Sequence, residues 1–182
     1  AEFESRLDAP GTSLNADILR FILEHEAALG QFAPWRIPFL SDAGFHMDMG
    51  YVVSSTRFED MEDYRDYLAR LEALPGYLEQ NRINMQLGME TGFTQPREIM
   101  DNILVSFDAQ VTGSAETHPL YAPFRTMPGS LDPAQQARLR DEARRLLDEN
   151  VIPAYAAIRD FMHERYLPNA RTTLAARDLP DG

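Results

Sequence analysis

Hydrophobic side chains recur every three or four residues in three stretches of the chain, and two stretches without that period separate them. The first periodic stretch predicts a helix that Ser13 caps and Gly30 ends. Ile18, Ile22 and Leu29 fall on one face of this helix and define its apolar side.

Residues 31–57 are predicted to form a long ordered loop. They include two prolines, two glycines and five aromatic residues, and they sustain no helical period. A short strand is allowed at Tyr51, Val52 and Val53. Because loops of more than about 15 residues are uncommon unless they are functional or belong to a larger surface, this stretch is a candidate for recognition.

Helical periodicity returns at Phe58 and continues over two helices that are joined at Pro75. Pro75 is predicted to end the first of them and to lie in the first turn of the second, which Gly92 ends. Thr94 is predicted to cap a third helix, which runs to about Val111.

A second long loop is predicted at residues 114–130, which contain three prolines. Asp132 then caps a long helix with Pro133 at its first position. The apolar period continues across Pro153, so a kink is expected there, with the helix resuming to Tyr166. The fold class predicted is therefore all-α: an antiparallel array of about five helices with two long proline-rich loops, in one helical domain over residues 1–182.

Composition narrows the function classes. Lys plus Arg number 17 against 29 Asp plus Glu, so the net charge of −12 disfavours binding to nucleic acid. The absence of cysteine excludes disulfides and thiolate chemistry. No apolar run approaches the roughly 20 residues of a membrane span. The first residues show neither an initiator Met nor a signal-peptide pattern, so a cytoplasmic and an exported protein both stay open.

The four histidines do not form a recognisable zinc motif. His25 and His163 are each followed by a glutamate, but Leu stands four residues after each of them, where a zinc peptidase has its second histidine. The sequence therefore predicts no catalytic residue, no metal ligand and no cofactor within this chain.

A short glycine-containing segment, residues 38–46, is the best candidate for contact with a ligand. It combines two phenylalanines with Ser41, Asp42 and His46, as a binding loop can, although core packing explains the same residues. His118 and Tyr121 are candidates for lining a cleft, with a proline-fixed connector as the alternative. The predicted substrate-facing residues are Ser41, Asp42, Phe45, His46, His118 and Tyr121.

Several short stretches follow one another along the chain: DYRDYLARLEALP at residues 63–75, Gln80, residues 88–92 with Pro96, VIPAY at 151–155, YLPNAR at 166–171 and LPDG at 179–182, together with the 38–46 loop. In this order and spacing they resemble the bacterial family known as domain of unknown function 885. Each stretch is short, and together they span most of the chain from about Ser13 onward.

The resemblance implies a mostly α-helical fold similar to that of thermostable zinc carboxypeptidases. Members are longer, and their His-Glu-x-x-x-Gly-His type of metal motif lies downstream of the LPDG stretch. The resemblance thus implies that this chain is an internal segment from the N-terminal half of a bacterial parent protein. The parent would hold zinc and bind a peptide substrate, and the rest of the parent chain would be the partner of this segment.

The function expected is a helical lobe that forms part of the wall of a peptide-binding cleft in a zinc metallopeptidase, without the catalytic metal motif. One alternative is a non-catalytic helical module that binds a ligand or a partner. Another is a hydrolase of different specificity, because a fold does not determine a function.

Overall fold

The computed structural model describes residues 14–180, and they form an all-α protein. The chain divides into two compact units, residues 1–34 and 35–182. In the first unit, helix α1 covers Leu14–Gly30 and none of its described residues is buried. The predicted helix and its end at Gly30 are confirmed, whereas the predicted cap Ser13 lies outside the described residues. Whether the two units form the single domain predicted above stays a prediction.

Among its described residues, the second unit contains five further helices of eight residues or more, joined by shorter helical segments that include Ala122–Arg125 and Leu167–Asn169. The five helices are α2 (Asp48–Ser55), α3 (Met61–Glu90), α4 (Met100–Ala109), α5 (Pro133–Leu146) and α6 (Ile152–Phe161). Over residues 14–180, β-type pairing is limited to two isolated bridges, Phe39 with Gly44 and Pro96 with Arg171. In the same part of the chain, no helix is long and apolar enough to cross a bilayer.

The prediction of a possible short strand at Tyr51, Val52 and Val53 is wrong, because these residues lie in helix α2. Met49 is buried, and Val52 and Val53 pack against the core at helical spacing. Tertiary packing thus overrides the β-propensity of the two valines. The predicted loop over residues 31–57 accordingly contains a helix.

Pro75 does not end a helix, contrary to the prediction, since it lies inside α3. A proline in a helix interior loses one backbone hydrogen bond and its ring crowds the carbonyl four residues earlier, here that of Leu71. Leu71, Leu74 and Leu78 are buried on one face, on both sides of this point. Burial of both halves of α3 against one core compensates for the defect.

Two glycines that follow helices have a left-handed backbone. Gly92, the predicted stop, has φ +73° just after α3, and Gly113 has φ +87° after α4. Thr94 does not cap a helix: it is buried, and its hydroxyl accepts the N–H of Arg171 at 3.1 Å. The helical backbone begins only at Arg97, as a 3-10 turn that leads into α4.

The start of α5 is confirmed as predicted. Asp132 and Gln135 form a reciprocal capping box, with Pro133 in the first turn. The helical backbone then widens to π geometry at Leu147–Val151 and again at Met162–Tyr166. Each π segment contains the carbonyl four residues before a proline, Pro153 or Pro168. Wider helical geometry moves that carbonyl away from the proline ring, so both segments accommodate proline inside one long helical run.

Buried tyrosines on the helices hydrogen-bond to the main chain of the two loops. Tyr64 and Tyr67 on α3 donate their hydroxyls to carbonyls of the 114–130 loop at 3.1 and 2.8 Å. Tyr155 on α6 donates to the His46 carbonyl at 3.0 Å. His46 belongs to residues 37–47, which include the 38–46 segment described above and which we call the 37–47 loop. Burial raises the pKa of all three phenols, so each hydroxyl keeps its proton and remains a donor.

Candidate functional site

The 37–47 loop folds back on itself in front of α3. The N–H of Leu40 donates to Ala43 at 2.7 Å, and the N–H of Phe45 donates to Pro38 at 3.2 Å. These two bonds flank the bridge between Phe39 and Gly44, whose side-chain positions therefore lie close together. A Cβ at residue 44 would meet the Phe39 Cβ at 2.5 Å. Glycine is thus needed at residue 44 by crowding rather than by its backbone angles.

A cavity of about 350 Å³ lies between this loop and helices α2 and α3. We call it the loop pocket. Residues 37–40 and 43–45 line one side of it, and Asp48, Tyr77 and Asn81 line the other. Its volume is within the range of small-molecule and side-chain sites. The loop that the sequence marked as a candidate therefore borders a real pocket.

Three polar residues that line the loop pocket are joined by hydrogen bonds. The Tyr77 hydroxyl donates to Asp48 Oδ2 at 2.6 Å. Burial, with the Asp48 carboxylate beside it, raises the pKa of Tyr77 to about 12, so the phenol stays protonated. Asn81 donates its side-chain N–H to the main-chain carbonyl of Tyr77 at 2.9 Å.

His46 lies behind the loop pocket with its ring stacked on Phe107, the ring centroids being 3.8 Å apart. Its Nε2 is 2.7 Å from Ser106 Oγ, and that hydroxyl donates its proton to the Ile103 carbonyl at 2.6 Å. Because a hydroxyl has one proton to give, Nε2 is the donor and Nδ1 carries the lone pair. Nδ1 is buried without a partner among the described residues. Burial lowers the pKa of His46 to about 4.

The Ser106–His46 pair does not act as a nucleophile and its base. In such a pair the hydroxyl proton points to the imidazole and a third group orients the other ring nitrogen. Here the Ser106 proton is directed to Ile103, and His46 Nδ1 has no acceptor or carboxylate beside it among the described residues. The pair is a packing contact within the core.

The predicted residues of the 38–46 loop occupy different positions. Phe45 is buried and lines the loop pocket. Ser41 and Asp42 lie at the tip of the loop, half-buried and exposed respectively, and neither lines the pocket. His46 is 1% exposed and faces the core. A substrate-facing role for these four residues stays a prediction, and Phe45 is the one placed at a cavity.

The structure does not bring His118 and Tyr121 to this pocket. His118 is fully buried, accepts the N–H of Leu120 at Nδ1 (3.2 Å) and donates from Nε2 to the Gln110 carbonyl (3.1 Å). Tyr121 is buried with its ring centroid 5.5 Å from that of Phe124. These contacts are structural, and contact with a substrate stays a prediction for both residues.

Two smaller cavities adjoin the loop pocket along α2 and α3. A cavity of about 210 Å³ shares Asp48 and Tyr77 with it. A third, of about 170 Å³, shares Val52 and Arg70 with the second. Because neighbouring cavities share lining residues, we refer to the three together as the α2–α3 groove. Arg70 makes no ion pair with any residue between 14 and 180.

No three His, Asp or Glu side chains of the described residues are grouped so that they could hold a metal ion. A catalytic zinc needs three protein ligands and an open position. The described residues do not offer that donor set.

Sequence reasoning missed Asp48, Tyr77 and Asn81. Asp48 and Tyr77 are 29 residues apart in the chain, so nothing local indicates their hydrogen bond. One signal was present: Tyr77 and Asn81 are four residues apart on a predicted helix, which places a phenol and an amide on one face.

Comparison with family models gives one match over the full sequence. The model described as "Bacterial protein of unknown function (DUF885)" matches residues 1–182. Neither the curated proteins nor the solved structures yield a match to this chain.

Proposed function

Because the chain belongs to the bacterial DUF885 family, we propose that it is a substrate-binding lobe of a metallopeptidase-like hydrolase. In this proposal the lobe forms one wall of a peptide-binding cleft and holds the substrate beside a catalytic centre that the parent protein supplies. The proposed reaction class rests on the expectation, implied by the sequence resemblance, that the family has a fold and a metal motif similar to those of zinc carboxypeptidases.

The observation that carries the proposal is the loop pocket. Its lining combines apolar loop residues with an ionised carboxylate, a phenol and an amide. Ligand sites commonly have this composition, a mostly apolar wall with a few polar groups that fix orientation. Leu40 at its rim is 62% exposed, a large apolar side chain that a bound ligand would cover.

The length of the α2–α3 groove suits an extended peptide. Its lining runs along α3 from Asp63 to Asn81, about 27 Å at 1.5 Å per residue. An extended chain advances about 3.3 Å per residue, so the groove spans about eight residues of peptide. The groove alternates apolar stretches, such as the one at Met49 and Leu74, with polar positions, as a surface that reads side chains does.

In this reaction class a bound zinc polarises the scissile carbonyl and activates water, with a glutamate as base. No described residue is assigned to those steps. The contribution of this chain is to hold the peptide and to restrict its orientation, which lowers the entropic part of the barrier.

A second candidate is a binding module that performs no chemistry. It is favoured by the contrast between the loop pocket and the lack of a metal-binding cluster among the described residues. Such a module would bind peptides through the same groove without cleaving them.

The first experiment measures the zinc content and the peptidase activity of the full-length gene product, before and after chelation. Stoichiometric zinc and cleavage that the chelator abolishes are expected. A metal-free, inactive full-length protein that still binds peptides would overturn the hydrolase proposal in favour of the binding module.

A second experiment tests the role of the lobe within the full-length enzyme. Leu40→Ala at the rim of the loop pocket is expected to raise KM severalfold with little change in kcat, because it removes ground-state binding. Leu174→Ala is the matched control, since Leu174 is 64% exposed and lines none of the cavities described above. Equal KM values for the two variants would show that the loop pocket is not part of the cleft.

A further inference from the structure

The Asp48–Tyr77 pair offers hydrogen-bond acceptors to the loop pocket. Asp48 Oδ2 receives the Tyr77 proton, which leaves Oδ1 free to accept. The Tyr77 oxygen has given its proton and retains a lone pair. Asn81 is 8% exposed and uses one of its two amide hydrogens on the Tyr77 carbonyl, so its Oδ1 remains as an acceptor beside one further N–H. A ligand that satisfies this set must be rich in donors.

The pocket also carries one uncompensated negative charge. Asp48 is the one acidic or basic residue in its lining, and it makes no salt bridge with any other described residue. Arg70 shares the adjoining cavity with Asp48 but is not paired with it. A carboxylate ligand would meet repulsion here, whereas a cation would meet an available partner.

The apolar walls suit the stem that bears such a cation. The Phe45 and Tyr77 rings both line the pocket and form an edge-to-face pair, with centroids 6.4 Å apart and an interplanar angle of 68°. Ammonium and guanidinium groups are attracted to aromatic faces, and their methylene stems pack on apolar side chains. A pocket of about 350 Å³ has room for one such side chain.

We propose that the loop pocket binds a cationic nitrogen on an apolar stem, contributed by the peptide that the lobe holds. Ammonium has three donors and guanidinium five, and neither has an acceptor, so both match a set of acceptors. The source is either a Lys or Arg side chain or the N-terminal amine of the peptide. This inference rests on the proposed function and names the class of its substrate.

The test measures binding of short fluorescent peptides to the full-length gene product by anisotropy, in the presence of a chelator that prevents their cleavage. One peptide carries a central Arg and a second carries citrulline, its neutral isostere, and both termini are blocked. A third has a free N-terminal amine and citrulline. We expect the Arg peptide or the free-amine peptide to bind about tenfold or more tightly than the blocked citrulline peptide, because a charge-assisted bond is lost in the latter. Whichever of these two peptides binds more tightly identifies the source of the cationic nitrogen.

Asp48→Asn is expected to abolish that preference, and added salt is expected to weaken it in the wild type. The matched control is Asp101→Asn, since Asp101 stands in the first turn of α4 as Asp48 stands in the first turn of α2. Both variants remove one helix-start carboxylate, so equal thermal unfolding midpoints would show that folding does not explain the difference.

Two negative outcomes are distinct. Binding of all three peptides with equal affinity, or a preference that Asp48→Asn leaves intact, would overturn the cationic specificity while leaving the lobe a peptide binder. Failure to bind any of the three would overturn the peptide-binding wall itself.

Discussion

The 37–47 loop and the 114–130 loop each bury a histidine in the core, but they treat its ring differently. His118 in the 114–130 loop hydrogen-bonds the main chain through both ring nitrogens. His46 in the 37–47 loop leaves Nδ1 buried without a partner among the described residues. The 114–130 loop provides its buried histidine with a partner at each ring nitrogen, whereas the 37–47 loop carries an unsatisfied group and borders a pocket.

Other contacts repeat this contrast. The Arg125 guanidinium donates to three consecutive carbonyls, those of Glu116, Thr117 and His118, and closes the 114–130 loop on itself. The 37–47 loop is tied to the core mainly from behind, where Tyr155 donates to His46 and Gln95 to Phe39. A loop held on one face and open on the other can present side chains to a ligand, whereas a loop closed on itself is structural.

The largest expected effect comes from replacing each histidine by phenylalanine. His118→Phe leaves the Gln110 carbonyl and the Leu120 N–H without partners, at a cost of about 4 kcal/mol in the free energy of unfolding. His46→Phe keeps the stacking on Phe107 and removes the unpaired nitrogen, so a change within about 1 kcal/mol is expected. Urea denaturation of both variants at pH 7.5 measures the difference. Equal losses of unfolding free energy would show that the two loops do not differ in how they satisfy their buried histidines.

The pH dependence of stability is the next effect in size. The pKa of His46 is about 4 in the folded chain because of burial, below the ordinary value of about 6.5. Between these values the unfolded chain binds a proton that the folded chain does not, so stability falls as the pH drops from about 6.5 to about 4. Its contribution at the acid end is about 3 kcal/mol.

Comparing the wild type with His46→Phe isolates this contribution. The carboxylates titrate in both proteins and cancel in the difference of their unfolding free energies. Burial also lowers the pKa of His118, with the Gln110 carbonyl opposing the shift, and that contribution remains in both proteins. Parallel curves for the two proteins from pH 7.5 to pH 4.5 would contradict the expected burial of a neutral His46.

Local signals in the sequence were sufficient for parts of the fold. The Asp132–Pro133 start and the left-handed Gly92 follow from chemistry within a few residues of each position. Pro75 and the two valines of α2 were misjudged because burial against distant elements outweighs local preference there. Both errors therefore occur where packing across the chain decides the conformation.

In the candidate site, too, local features could be predicted from the sequence and contacts between distant residues could not. The sequence pointed to the 38–46 loop through its composition, and the loop does border a pocket. It could not reveal Asp48 and Tyr77 as partners, because α3 brings them together only after folding. The sequence also could not show that both ring nitrogens of His118 have main-chain partners.

Gly44→Ala and Gly113→Ala compare the loops at their tightest points. A Cβ at residue 44 would collide with the Phe39 Cβ at 2.5 Å, and the resulting overpacking is expected to cost about 2 kcal/mol. A Cβ at residue 113 would meet the Thr117 hydroxyl in a left-handed backbone, at a cost of about 1–2 kcal/mol. Stabilities should therefore fall in both variants, whereas peptide affinity should fall in Gly44→Ala alone. Loss of affinity in both would show that the 114–130 loop also shapes the groove.

The smallest effect concerns the clamp of the 114–130 loop. Arg125→Ala removes an exposed guanidinium whose three acceptor carbonyls can turn to water instead, so the free energy of unfolding should fall by about 1 kcal/mol. Local opening should nevertheless speed hydrogen exchange at the Leu120 N–H, which His118 protects in the closed loop. Arg177→Ala, on the 3-10 turn Ala176–Asp178, is the control for loss of a surface arginine. Unchanged exchange at Leu120 would mean that the buried tyrosines hold this loop without the arginine. A drop in peptide affinity would instead show that the loop closed on itself also takes part in binding.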